Sequence, residues 1–185
     1  MRPINMNKLI RILMAILIAI IVMICATPIL AQQASITKYG NTCGYSPPYG
    51  SPSIVGVGLP VLGGTVDISQ AGVVDRVIPY CHYKASLYLM LGASNTQLGP
   101  IPLPFTLPKE LTTATNCNLY NSMDFVFPQN NPAGVERLSI PNSVNLLGVN
   151  LYAQWAVFFY TVGPSCPSPL NYAMVSDCLK ISIGV

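Results

Sequence analysis

From Gly148 to Tyr160 the chain alternates. Val149, Leu151, Ala153, Trp155, Val157 and Phe159 fall on one side, and Asn150, Tyr152, Gln154, Ala156, Phe158 and Tyr160 on the other. Successive side chains of a strand leave opposite faces, so period two over this length predicts a β-strand running through a core. Shorter stretches repeat the pattern. Thr65–Ser69 sets Val66 and Ile68 against Thr65, Asp67 and Ser69, and Cys178–Ile183 sets Leu179, Ile181 and Ile183 against Lys180 and Ser182. Ser53–Gly58, Lys84–Leu91, Cys117–Phe127 and Gly134–Ile140 are further strand candidates between Pro, Gly and Asn turn signals. Ile101–Leu107 holds Pro102 and Pro104, which cannot donate to a ladder, so it reads as an edge strand or an extended crossover. Sustained helical periodicity is missing after residue 31, and Leu111–Asn118 has room for one helical turn at most. The expectation is an all-β chain, a single antiparallel β-sandwich of about seven or eight strands. Its domain is residues 51–185, preceded by a polar, turn-rich N-terminal arm at 32–50.

The charge is split along the chain. Arg2, Lys8 and Arg11 precede the uncharged run Ile12–Ala31, and no acid occurs before Asp67. A basic start followed by an apolar stretch predicts a signal peptide, a signal helix over residues 1–31. Pro28, the small Ala31 and polar Gln32-Gln33 favour cleavage after Ala31. The rival is an uncleaved anchor, since a bilayer needs about 20 apolar residues. A lipoprotein reading through Cys25 is weak, because bulky Ile24 precedes it. The expected location is outside the inner membrane, secreted or at the cell surface, with membrane contact only through residues 1–31 if they are retained. Beyond residue 31, six basic and six acidic groups balance. A neutral, charge-poor domain has no electrostatic reason to bind nucleic acid or anionic lipid.

Five cysteines follow the export segment: Cys43, Cys81, Cys117, Cys166 and Cys178. In an exported chain disulfides are the default. Cys166 and Cys178 flank one Pro-rich loop and form the first candidate pair. Cys43 and Cys117 form the second, which leaves Cys81 free or bridging between chains. Spacing does not fix the connectivity. None of these cysteines stands in a C-x-x-C zinc or redox motif.

Catalytic signals are sparse. His82 is the one histidine, beside Cys81, and neighbouring strand residues point apart, so the pair reads as structural. Asp67, Asp75, Glu110, Asp124, Glu136 and Asp177 are scattered singly, without the local pairing that would announce a glycosidase or calcium site. G-x-S-x-G, H-E-x-x-H and a phosphate-binding glycine loop are missing. The expectation is no catalytic residue, no metal and no cofactor. Ten tyrosines, among them Tyr39, Tyr45 and Tyr49 and then Tyr80, Tyr83 and Tyr88, supply rings that could stack on sugars. Trp155 sits on the apolar face and reads as core.

Residues Ile140–Val157 spell IPNSVNLLGVNLYAQWAV. With Gly58-Leu59-Pro60, Leu62-Gly63-Gly64, Leu91–Asn95, Cys117-x-Leu119 and Ile181–Gly184, this string resembles a group of uncharacterised exported bacterial β-sandwich modules. The resemblance spans most of residues 54–184. It implies fold and export, with no activity and no catalytic residues to carry over. The chain departs from that pattern at Val73–Tyr83 and Tyr160–Asp177. On the residues themselves, Ile140, Pro141 and Asn142 end a strand and turn, Gly148 allows a tight approach to the next, and Tyr152, Gln154 and Trp155 lie within it. Gln154 faces away from Trp155, where its amide can bond a loop.

The leading expectation is a non-catalytic exported module acting by contact: a cell-surface, matrix or appendage component with a structural or adhesive role, self-associating or binding a surface partner. A carbohydrate-binding module using exposed tyrosines, with a glycan partner, is the alternative. A hydrolase assembled from distant residues around His82 or a carboxylate pair is the third.

Overall fold

The computed structural model describes residues 32–43, 50–73, 76–78, 81–112, 114–129, 134–162 and 172–185, with the backbone alone at 76–78, 81–83, 161 and 162. The expected export segment lies outside these residues. The compact unit runs from Gln32 to Val185.

The long alternating stretch is a strand, β12 (Asn150–Val162), and it lies inside an antiparallel sheet. On one side it pairs with β5 (Cys81–Gly92), on the other with β13 (Tyr172–Ser182). Beyond β13 comes β1 (Ser35–Tyr39). Beyond β5 comes β10 (Phe125–Gln129), and the short β4 (Arg76–Ile78) also pairs with β5. These six strands form one sheet. A three-stranded antiparallel sheet is built from β2 (Ser53–Gly58), β3 (Thr65–Ala71) and β11 (Val135–Ser139), with β3 in the middle. Two-residue ladders join β6 (Gln97–Leu98) to β7 (Ile101–Pro102), and β8 (Phe105–Thr106) to β9 (Asn118–Leu119). Among the described residues the helical content is a single 3-10 turn, Val144–Leu146. The fold is all-β with antiparallel sheets.

One core draws on both larger sheets. Trp155 and Val157 of β12, Leu89 of β5 and Ile181 of β13 are buried with Ile54, Val66 and Ile68 of β2 and β3. Each such aliphatic side chain contributes about 1.5–3 kcal/mol when taken from water. Alternation therefore sorted the inward face of β12 correctly.

Its other face is not left to solvent. Tyr152, Gln154 and Ala156 are buried as well, because residues 114–122 lie across that side of the sheet. The Ala173 amide donates to the Leu111 carbonyl at 2.6 Å. Cys117 is disulfide-bonded to Cys43, 74 residues away in sequence. Buried Asn121 donates from Nδ2 to the carbonyls of Met90 and Tyr152, both at 3.1 Å. Contact is close enough that a Cβ at Gly92 would collide with the Ser122 carbonyl oxygen. This is why the single strand expected over Cys117–Phe127 is two strands, β9 and β10. Asn121 and Ser122 turn inward between them.

Two other expectations need correction. The N-terminal arm contains β1, paired with β13 from Ser35 opposite Ser182 to Tyr39 opposite Cys178. Ile36 packs against the core, and Asp177 takes the charge of Lys38 at 2.6 Å. The final strand, expected from Cys178, begins at Tyr172. It is buried without a break through Leu179, so its first half has no polar face to betray a period of two.

The Ile140–Trp155 string is architectural. Ile140 is buried, and its amide donates to the Gly64 carbonyl at 2.9 Å; Pro141 and Asn142 are exposed in the turn that follows. Gly148 has φ +81°, a backbone region costly for other residues, and a Cβ there would meet Gln32 Oε1 at 2.5 Å. Between Gln154 and Ala156 the β12–β13 register shifts by a bulge. There the Trp155 amide donates to Ser176 Oγ at 3.0 Å.

Candidate functional site

The sequence singles out the cysteines and the tyrosines. Cys43 and Cys117 form a disulfide, with Cα atoms 4.3 Å apart. Cys178 is a free, buried thiol instead of bridging to Cys166; Cys166 lies outside the described residues. Opposite Gln154 and Tyr39 in the ladders, Cys178 faces the covered side of the sheet, and its Sγ donates to the Tyr39 hydroxyl at 3.1 Å. Tyr39 in turn donates to the Tyr120 carbonyl at 3.2 Å and meets the rings of Tyr120 and Tyr152 edge-on. Burial pushes the Cys178 thiol up to about 12 and, with Cys178 adding to the effect, raises the Tyr39 phenol far above its usual range. A neutral buried thiol is a poor nucleophile. Cys81 and His82 lie on β5, and their side chains are outside the described residues, as are those of Tyr45, Tyr49, Tyr80 and Tyr83.

Of the tyrosines whose side chains are described, Tyr120, Tyr152 and Tyr172 are buried, Tyr39 and Tyr88 are half-buried, and Tyr160 is exposed at 36%. Trp155 is fully buried in the core. Gln154, also fully buried, holds the covering loop. Its Oε1 accepts from the Tyr120 amide at 2.9 Å, and its Nε2 donates to the carbonyls of Asn118 and Ser176 at 2.9 and 2.6 Å. Asp67, Asp124, Glu136 and Asp177 are engaged in structure. Asp177 Oδ1 accepts from the Ile54 amide at 2.9 Å. Asp67 pairs with Arg137 across β3 and β11, which holds its carboxyl below the usual range. Among the described residues no three His, Cys, Asp or Glu side chains gather as metal ligands, and no helix is long and apolar enough to cross a membrane.

The feature that structure alone reveals is the end of the six-stranded sheet. β10 reads Phe125-Val126-Phe127-Pro128-Gln129 and carries no charge. Among the described residues it pairs only with β5. Phe125 is 66% exposed, Val126 49% and Phe127 37%. Beneath the two rings opens an apolar cleft of about 270 Å³, lined by Leu91, Phe125, Phe127, Leu138 and Leu151, with Asp124 at its rim. Leu138 comes from β11 and Leu91 from β5, so the cleft lies where the two larger sheets part.

Both ends of β10 are fastened. At one end Asp124 Oδ2 accepts from the Ala93 amide at 2.7 Å and from Ser122 Oγ at 3.0 Å. At the other, Gln129 Nε2 donates to Glu136 Oε2 on β11. The strand is therefore held in place while its apolar side chains stay in water. The sequence contained the signal, an uncharged F-V-F-P run. Merged into one long strand candidate, it gave no hint of lying at an edge. No protein-family model, curated protein or solved structure matches this chain.

Proposed function

We propose that this chain is an exported, non-catalytic β-sandwich module that acts by contact, as a structural or adhesive part of a cell surface, matrix or appendage. The observation that carries the reading is β10, an apolar edge strand fastened at both ends, exposed from Phe125 to Pro128 and, among the described residues, paired on one side alone. Soluble proteins normally blunt such edges with charge or cover them, because an open ladder recruits other chains. Exposed apolar surface kept rigid marks an interaction site. The core shared by the two larger sheets supports the sandwich architecture. The basic start, the apolar run Ile12–Ile24 and the disulfide support export.

The test is location and retention. Cells making the protein are labelled with a membrane-impermeant reagent and separated into cytoplasm, envelope, matrix and medium. The expected result is a labelled protein retained with envelope or matrix. A Phe125→Lys/Phe127→Lys variant, unchanged in melting temperature, should be released to the medium. A protein confined to the cytoplasm, or free in the medium as wild type, overturns the reading.

A further inference from the structure

We propose that β10 pairs with β10 of a second copy. The two strands run antiparallel about Val126, so that two six-stranded sheets continue as one across a two-fold axis. This rests on the contact reading above and names its partner.

The choice of a second copy follows from how the edge is built. Among the unpaired edges, β1 carries Lys38 and β11 carries Glu136 and Arg137. β2 carries Gly56 and Gly58, which weaken pairing. β10 carries neither charge nor glycine. Its side chains are also self-complementary. Centred on Val126, an antiparallel partner sets Phe125 of each copy opposite Phe127 of the other. Phe125 and Phe127 both border the cleft, so the four rings gather on one side and close both clefts. Aromatic cross-strand pairs are among the favourable ones.

The backbone agrees. A proline is tolerated in an edge strand where its nitrogen faces away from the ladder. Pro128 thus faces outward, and alternation turns the Val126 amide and carbonyl outward too. Two copies can then exchange both Val126 N–H···O=C bonds, while Pro128 ends the ladder and keeps it short. Electrostatics do not oppose the pair, since the residues beyond 31 are formally neutral. Met123, Phe125, Val126 and Phe127 expose roughly 350 Å² per copy on side-chain areas of about 150–250 Å². A dimer would bury on the order of 700 Å² there, short of the ~1,200 Å² of stable complexes. The pair is therefore reversible and forms where the protein is concentrated.

Sedimentation equilibrium of the untrimmed protein, purified from the cells that make it, tests this. The expected result is a mass rising from monomer to dimer over the micromolar range. Val126→Pro removes the central donor and should remain monomeric with an unchanged melting temperature. F125K/F127K should also be monomeric. F125K/F127E sets Lys against Glu across the axis and should restore the dimer at low salt and lose it at high salt. Melting curves for every variant separate misfolding from lost pairing.

A wild-type protein monomeric throughout overturns the proposal. So does F125K/F127E associating no better than F125K/F127K, or dimerisation abolished by Val57→Lys on β2 but not at β10. Failure here with retention at the cell surface intact leaves the contact reading standing. A β10 dimer found only in the cytoplasm removes that reading and leaves the pairing.

Discussion

At the scale of residues, Gln154 does the most with one side chain. Two hydrogen bonds, with the Tyr120 amide and the Asn118 carbonyl, join the sheet to the loop across it, and a third reaches the Ser176 carbonyl on β13. Gln154→Ala strands one amide and two carbonyls, and a buried unsatisfied group costs about 1–3 kcal/mol. The variant should lose about 3 kcal/mol or more, seen as a lower denaturant midpoint with an unchanged m-value. Cys178 adds a pH dependence. Its thiol has an ordinary value of 9.0 and sits at about 12 when folded. Above pH 9 the unfolded chain releases this proton and the folded one does not, so ionisation favours unfolding. Stability is full below pH 9 and falls as pH climbs toward 12, with Tyr39 acting in the same direction. Thermal melts from pH 8 to 11 should decline for wild type and decline less for Cys178→Ala. That Gln154 would face away from Trp155 was legible from period two alone. That Cys178 would lie among tyrosines was not, because it depends on the pairing of β13 with β1, which no local pattern encodes.

Elements differ in how openly they announce themselves. β3 and the inward face of β12 were readable because one face is apolar and the other mixed. The first half of β13 was not, since both its faces are buried and the alternation vanishes. β1 hid for the opposite reason: five residues with one aliphatic member look like a loop. The loop 114–122 has no local signature because its role is to cover, and its contacts are polar and distant in sequence. The Cys43–Cys117 bridge ties this cover to the N-terminal end of the sheet. Closing a loop of 74 residues restricts the unfolded chain by about 4 kcal/mol in the chain-entropy view. Cys43→Ser/Cys117→Ser should therefore lower the melting temperature by roughly 10 °C, at about 2–4 °C per kcal/mol for a chain of this size. Native-state hydrogen exchange should show the Tyr120 amide, protected by Gln154, opening before the β12–β5 ladder does.

At the scale of the whole described unit, the first strand meets the last. β1, the first strand described, lies against β13, the last, and the Val185 amide donates to the Gln32 carbonyl at 3.3 Å. β12, the central strand of the core, finds one neighbour in β5 and the other in β13. The coarse class was legible in the sequence because strand periodicity and turn residues are local. The strand order was not, because it is a matter of which distant segments meet. The topology also sets a timetable. A chain emerging from its N-terminus can form the β2–β3 hairpin early, yet it cannot seat β1 or finish the core until residues 172–182 are free. Release of the last strand is the moment of commitment. Until then the core lacks the strand that carries Leu179 and Ile181, and β1 has no partner to pair with.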